Sequence, residues 1–306
     1  MRVIDAAALR AGLPIGVAID ALEAALRAED PSLTTPLRNT LATPAGTLLT
    51  MPASGAAGVG VKLVTLSEFN PQKGLPFVQG AYVLFDVETQ RPEAVIDGTE
   101  LTSIRTAAVS GLATSLLAKT DASRLVLFGA GAQASAHLDA MVAVRPIEDV
   151  IVVSRGAERA NELAARAGDQ GLTARVGTPG DVADADIVCT CTTSAVSVFD
   201  GRDLGPGTHI NAVGAFLADA RELDTETVRR ARVVVETRQV AFAEAGDLLI
   251  PIREGAIARE HVLADLMQLV RGATVRTAPE DITLFESVGI GFEDLVVARA
   301  ALEALG

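Results

Sequence analysis

The chain has no tryptophan, a single tyrosine and an aromatic content of 3%. A core with so few rings has to close through small aliphatic side chains, and a hydrophobic content of 49%, rich in alanine, supplies them. Closely packed α/β layers suit that composition. Cysteine is scarce too: two residues, Cys189 and Cys191. On a strand they face the same way. No Cys or His cluster stands by to complete a tetrahedral site, so no metal is expected. Buried thiols in a reducing cytoplasm are the simpler reading. The three histidines, His137, His209 and His261, have no spaced partners for a metal or a triad and are expected to be structural. Positive charge is short, 26 Lys and Arg against 39 Asp and Glu, a net −13. Such a balance argues against a nucleic-acid partner, since little would neutralise phosphates. No apolar run approaches a membrane span, and no basic start precedes an apolar stretch and cleavage site. A soluble, cytoplasmic protein is expected. At 306 residues there is room for two domains.

What is present is organised around residues 124–136, RLVLFGAGAQASA. Leu125 to Phe128 read as a buried strand. Gly129-Ala130-Gly131-Ala132-Gln133-Ala134 follows at once as G-x-G-x-x-A, and an alanine-rich helix over 132–144 comes next. Strand, glycine turn and helix in that order point to a dinucleotide. Gly129 lets the chain turn sharply, Gly131 lets backbone approach a pyrophosphate, and Ala134 lets helix and strand pack closely. The helix start, with Ala130, Ala132 and Gln133 around it, would present N–H groups to the phosphates. The alternative is a glycine turn with no ligand, and the flanking elements weigh against it.

Before the motif, apolar spacing predicts a helix over 13–29, ended by Pro31 and Pro36. Strands follow at 46–52, 58–65 and 80–86, with a polar loop at 67–75. This half reads as α+β with a curved or antiparallel sheet. A turn at 97–100 leads to a long helix over 102–119, with Thr102 at its cap position. After the motif, strands at 149–154, 173–176, 186–191, 208–213 and 232–236 alternate with helices at 157–167 and 222–231. Such alternation means a parallel sheet covered on both faces. The expected fold is therefore α/β: a Rossmann-type doubly wound sheet over residues 109–285, beside a second α+β domain over 1–108 to which a last helix, within 286–306, returns. No internal repeat or low-complexity linker is visible.

The second strand of a dinucleotide domain ends near the adenosine ribose, where an acid favours NAD and a base favours a 2′-phosphate. Here Ser154 and Arg155 stand at that end. Arg155 could pair with a phosphate, which favours NADP. Glu158 nearby keeps NAD open, and a solvated surface arginine is the bland alternative.

These features together resemble the ornithine cyclodeaminase/mu-crystallin family over nearly the whole length. The resemblance rests on Gly60 to Thr65, Gly74-Leu75-Pro76 to Gly80, Leu101 to Ala108, the glycine turn, Ile210 to Gly214, Arg221 to Asp224, Glu244 to Leu248, Ser287 to Ile290 and Glu293-Asp294-Leu295. It implies a homodimer, a nicotinamide cofactor on the middle domain, and an amino-terminal domain that takes the substrate. It also implies roles. Arg38, Lys62 and Arg105 match the substrate site, where guanidinium forks suit a carboxylate. Burial of Lys62 near the two arginines would lower its pKa and let it exchange a proton near neutral pH. On spacing alone Arg38 could be solvated and Lys62 could belong to an edge strand. Thr106, Thr190 and Val213 match cofactor contacts.

The family spans several reactions, and two positions depart from its cyclodeaminases. Those carry an Asp two residues after the glycine matching Gly214, whereas this chain has Phe216, and Asp219 matches another position. Phe77 stands where many relatives have a small hydroxylated residue; it could fill the pocket or belong to the core. The reading that follows is NAD(P)H-dependent reduction of small cyclic imino acids, 1-pyrroline-2-carboxylate or 1-piperideine-2-carboxylate, to L-proline or L-pipecolate. The alternatives are an ornithine cyclodeaminase that uses NAD catalytically, an amino-acid dehydrogenase, and a non-catalytic NADP-dependent binding protein.

Overall fold

The computed structural model describes residues 1–30 and 32–306. Its strands and helices are, in chain order, β1 (Arg2–Ile4), α1 (Ala6–Gly12), α2 (Ile15–Arg27), β2 (Asn39–Thr43), β3 (Gly46–Gly55), β4 (Gly58–Leu66), β5 (Val78–Phe85), β6 (Pro92–Asp97) and α3 (Gly98–Leu117). There follow β7 (Arg124–Phe128), α4 (Ala132–Val144), β8 (Asp149–Val153), α5 (Ala157–Asp169), β9 (Thr173–Val176), β10 (Ile187–Thr190), β11 (His209–Ala212), α6 (Thr225–Arg230) and β12 (Arg232–Val235). The chain ends with α7 (Arg238–Glu244), α8 (Gly246–Arg253), β13 (Val262–Asp265), α9 (Leu266–Val270), β14 (Thr283–Glu286) and α10 (Gly291–Ala304). Two compact units result: Met1–Thr106 with Gly289–Gly306, and Ala107–Val288.

In the first unit six strands form one sheet in the order β1-β6-β5-β4-β3-β2. β2 to β6 pair antiparallel with their neighbours and β1 joins β6 in parallel, so the sheet is mixed. Alternation sets its faces. Along β4, Gly60, Lys62 and Val64 point to the buried side, while Val61 and Leu63 point to the other. α10 packs on β3, β4 and β5, and also on α2. α2 buries Ala18, Ile19, Leu22 and Leu26, the stripe its spacing predicts. It stops earlier than expected, at Arg27, where Ala28 turns extended. Pro31, taken as a helix stop, lies outside the described residues.

In the second unit eight strands are all parallel, in the order β13-β12-β14-β11-β10-β7-β8-β9. The direction of winding reverses between β7 and β10, and ligands of such sheets bind beyond the carboxyl ends of the strands at that reversal. β7 places the glycine turn there.

Four expectations need correction. Residues 97–100 are not a separate turn: α3 begins at Gly98, and the Asp97 carboxylate accepts from the N–H of Glu100. Thr102 is therefore inside the helix, its hydroxyl donating to the Gly98 carbonyl at 2.7 Å rather than capping. The helix expected over 222–231 begins only at Thr225, because Asp224 caps it by accepting from Thr227 N–H. β10 ends at Thr190, so Cys191 lies just past the strand. Short elements such as β1, β2 and α9 have too few residues for periodicity to register.

α3 is buried almost all round through its middle, and its last carbonyls accept from two arginines. Arg145 takes those of Thr114, Ser115 and Ala118, and Arg276 takes that of Leu117. Two guanidiniums thus satisfy a helix end that no sequence pattern marked.

Candidate active site

The glycine turn expected to take a dinucleotide lies at the carboxyl end of β7. Gly129 has φ +102°, and a Cβ there would stand 2.5 Å from the Cys191 carbonyl oxygen, so the turn requires glycine. Gly131 caps α4 with an extended backbone, and a Cβ built on it meets nothing within 4 Å. Gly131 and Ala132 are exposed, Ala130 and Gln133 half-buried, and Ala134 is fully buried against the sheet. The start of a 13-residue helix is thus exposed at Gly131 and Ala132. Such an exposed start fits a pyrophosphate. In the first unit, the Thr106 hydroxyl is buried and makes no hydrogen bond among the described residues. At the end of β8, Ser154 is half-buried and Arg155 exposed. Thr190 is fully buried at the end of β10, and its carbonyl accepts from Val213 N–H at 3.1 Å.

Glu222, within the motif Arg221 to Asp224, ties these strand ends together. One carboxylate oxygen accepts from Thr192 N–H at 2.6 Å and the other from Gly214 N–H at 2.7 Å. Asp247 in turn accepts from the N–H groups of Glu222 and Leu223 at 2.8 and 2.7 Å. Burial pushes the carboxyls of Glu222, Asp247 and Glu286 up, and their mutual repulsion adds to it for Asp247 and Glu286.

The basic residues gather in the first unit. Lys62 is 1% exposed, and β4 is an interior strand, which removes the edge-strand reading. Its Nζ donates to Asp294 Oδ1 at 2.9 Å. Arg105, on α3, is 6% exposed. Its Nη1 donates to Glu293 Oε2 at 2.8 Å, and its Nε lies 3.2 Å from the same Asp294 oxygen that holds Lys62. Arg38, half-buried ahead of β2, donates to the Gly289 carbonyl at 3.0 Å. Gly289 also faces Arg105: it has φ +85°, and a Cβ on it would stand 2.6 Å from Arg105 Nη1. One glycine therefore seats both guanidiniums. The Lys62 ammonium is pulled down to about 8, by burial first and by the Arg105 charge second, against the pull of Asp294 and Glu293. The lowering runs in the expected direction, with Arg105 as the neighbouring charge that adds to burial.

The remaining expected residues fall as follows. His137 is buried between the Gln133 carbonyl at 2.8 Å and the Ser110 hydroxyl at 2.9 Å, and burial drives it down to about 4. His209 meets the Thr283 hydroxyl, and His261 the Val228 carbonyl. Among the described residues no three His, Cys, Asp or Glu side chains form a metal-holding group. Burial raises the Cys189 thiol to about 12. Phe216 and Phe77 are half-buried. Asp219 is exposed and paired with Arg253 at 2.7 Å, so it does not stand in for the missing acid. No described helix is long and apolar enough to cross a membrane.

The sequence singled out Glu293-Asp294-Leu295 only through the family resemblance and pointed to no role for the two acids. Glu293 and Asp294 sit in the first turn of α10, where acidic residues are common because they favour the helix dipole. Their signal was position: two charges between Phe292 and Leu295 in a segment otherwise apolar through Ala298.

Known proteins resemble this chain in sequence and fold. A Δ1-pyrroline-2-carboxylate reductase of Bacillus cereus is 37% identical over 283 residues, covering 88% of this chain and 85% of the relative. The structure of the Thermococcus litoralis Δ1-pyrroline-2-carboxylate reductase, in complex with NADH and L-proline, superposes with a TM-score of 0.95 at 34% identity, covering 99% of this chain and 97% of that one. An archaeal alanine dehydrogenase dimer with bound NAD follows at a TM-score of 0.93 and 30% identity, covering 99% and 95%. Residues 6–305 match a single family description. With the doubly wound sheet, the glycine turn and the paired basic residues in view, the chain belongs to the ornithine cyclodeaminase/mu-crystallin family.

Proposed function

We propose that this protein is an NAD(P)H-dependent reductase of small cyclic imino acids, converting 1-pyrroline-2-carboxylate or 1-piperideine-2-carboxylate to L-proline or L-pipecolate. The observation that carries the reading is the buried cluster in which Lys62 and Arg105 share one Asp294 oxygen. The likeness to the Bacillus cereus and Thermococcus litoralis reductases supports it.

The chemistry needs three things. An acid group must be gripped, a proton must be at hand, and two electrons must arrive at carbon. Arg38 and Arg105 present guanidinium forks to the substrate carboxylate. Lys62, held near 8, is largely protonated at neutral pH yet able to release its proton to the imine nitrogen. When bound, the dinucleotide supplies a hydride to the imine carbon and is oxidised. One hydride to carbon and one proton to nitrogen turn C=N into CH–NH. Gly129, Ala130, Gly131, Ala132 and Gln133 would hold the pyrophosphate, with Thr106, Thr190 and Val213 nearer the nicotinamide. Ser154 and Arg155 suit a 2′-phosphate, so NADPH is the preferred donor and NADH the second.

Phe216 weighs against a cyclodeaminase, because the acid that would work at the substrate α-carbon is absent there. The enzyme is read as a homodimer of the cytoplasm.

The test is a panel of imines, ornithine and amino acids followed by nicotinamide absorbance with NADPH and NADH. Oxidation of NADPH by either cyclic imine is expected. Lys62→Met should lose most turnover while still binding NADPH, which a pure binding protein would not register. Failure to reduce either imine under conditions where NADPH binds refutes the reading.

A further inference from the structure

Lys62 is a cation in a place that should strip it of its proton. It lies on the core face of an interior strand and beside a guanidinium. Burial and a neighbouring like charge both favour neutral lysine. The groups facing it can be named element by element. α10 brings Asp294 and Glu293, with Arg299 further along. α3 brings Arg105. β5 brings Tyr82, which pairs in register with Lys62 and whose hydroxyl burial keeps neutral. β3 offers only Met51 opposite. One oxygen, Asp294 Oδ1, accepts a hydrogen bond from Lys62 Nζ at 2.9 Å and forms an ion pair with Arg105, whose Nε lies 3.2 Å away. Asp294 is completely buried, and its other oxygen makes no hydrogen bond among the described residues. That carboxylate has no water to screen it, so its charge is spent on these two cations.

We propose that Asp294 is the positioning residue of the reaction, a buried carboxylate that keeps Lys62 protonated and Arg105 in place from a single oxygen. It touches neither hydride nor imine. It acts through the lysine, whose proton it retains until a substrate needs it. Glu293 has the lesser part, holding Arg105 at the other side of the guanidinium. The catalytic consequence rests on the reading of the site as an imine reductase; the charge-holding role does not.

The charge-holding role can be read without turnover. The chain has only three lysines, Lys62, Lys73 and Lys119, so 15N-lysine labelling resolves each Nζ. In the unmodified protein the Lys62 Nζ should titrate near 8, and the 13C-labelled Asp294 carboxyl should respond at the same pH. In Asp294→Asn the Lys62 midpoint should fall by about one to three units, the range an opposing charge commands. Asp294→Glu, which keeps the charge, should hold it near the parent value. In kcat/KM against pH, the alkaline limb should move down with Asp294→Asn and stay with Asp294→Glu. A merely structural role would lower the rate at every pH and shift no limb. The proposal is overturned if Lys62 titrates alike in the parent and Asp294→Asn. Should that variant not fold, an Asp294 carboxyl in the unmodified protein that ignores the Lys62 titration overturns it equally. If the Nζ midpoint shifts as expected while no imine is reduced, the charge-holding role stands and the reductase reading fails.

Discussion

Replacing Gly131 with alanine separates the cofactor cradle from the fold. The backbone of Gly131, at φ −101° and ψ −168°, is one any residue adopts, and the added Cβ meets no atom within 4 Å. The folded state loses nothing, and the unfolded chain loses freedom, so stability should change by about 0 to 1 kcal/mol in the favourable direction. The same methyl stands in the open mouth of α4. A pyrophosphate drawn against the helix start must retreat from it. Losing one hydrogen bond to a charged group costs about 1.5–3 kcal/mol, which corresponds to a Kd for NADPH weakened about tenfold to a hundredfold. Gly129→Ala is the converse. Its φ of +102° and the Cys191 oxygen 2.5 Å from the new Cβ put the strain in the protein. That strain should lower stability by about 1–3 kcal/mol. The protein has no tryptophan, so nicotinamide fluorescence can be titrated without tryptophan emission, with thermal unfolding followed by circular dichroism in parallel. A Gly131→Ala protein that unfolds like its parent and binds NADPH equally well would refute the assignment of the turn to the pyrophosphate.

Two further outcomes follow from the same geometry. Gly289→Ala places a Cβ 2.6 Å from Arg105 Nη1 at φ +85°; a guanidinium moved by about 1 Å should raise KM for the imino acid at least tenfold. Binding of NADPH should not change, and an unaltered KM would mean that Gly289 does not seat the substrate-gripping arginine. Arg155→Ala should weaken NADPH about tenfold, the loss of one charge-assisted hydrogen bond, and leave NADH untouched. Equal effects on both cofactors in steady-state assays would assign the 2′-phosphate elsewhere.

How much could be read in advance depends on how local the cause is. The turn at Gly129 and Gly131 was legible because a strand, two glycines and a helix adjoin in sequence and each imposes its conformation on its neighbours. The apolar runs of β7, β8 and β10 likewise announced a parallel sheet, since strands buried on both faces cannot alternate. Thr102 was misplaced because Asp97 caps a helix that starts earlier, and capping preference alone does not rank two nearby candidates. Lys62 looked equally suited to an edge strand, since a charged residue between valine and leucine is what edges often carry.

The sequence by itself determined the dinucleotide fold and the kind of residues available, because both are written in adjacent positions and their periods. It did not determine which charges meet. Lys62, Arg105 and Asp294 come from β4, α3 and α10, and the last is 232 positions from the first. Only packing α10 against the β4 face brings one carboxylate to both cations. The low dielectric of that packed interior then decides the protonation of the lysine.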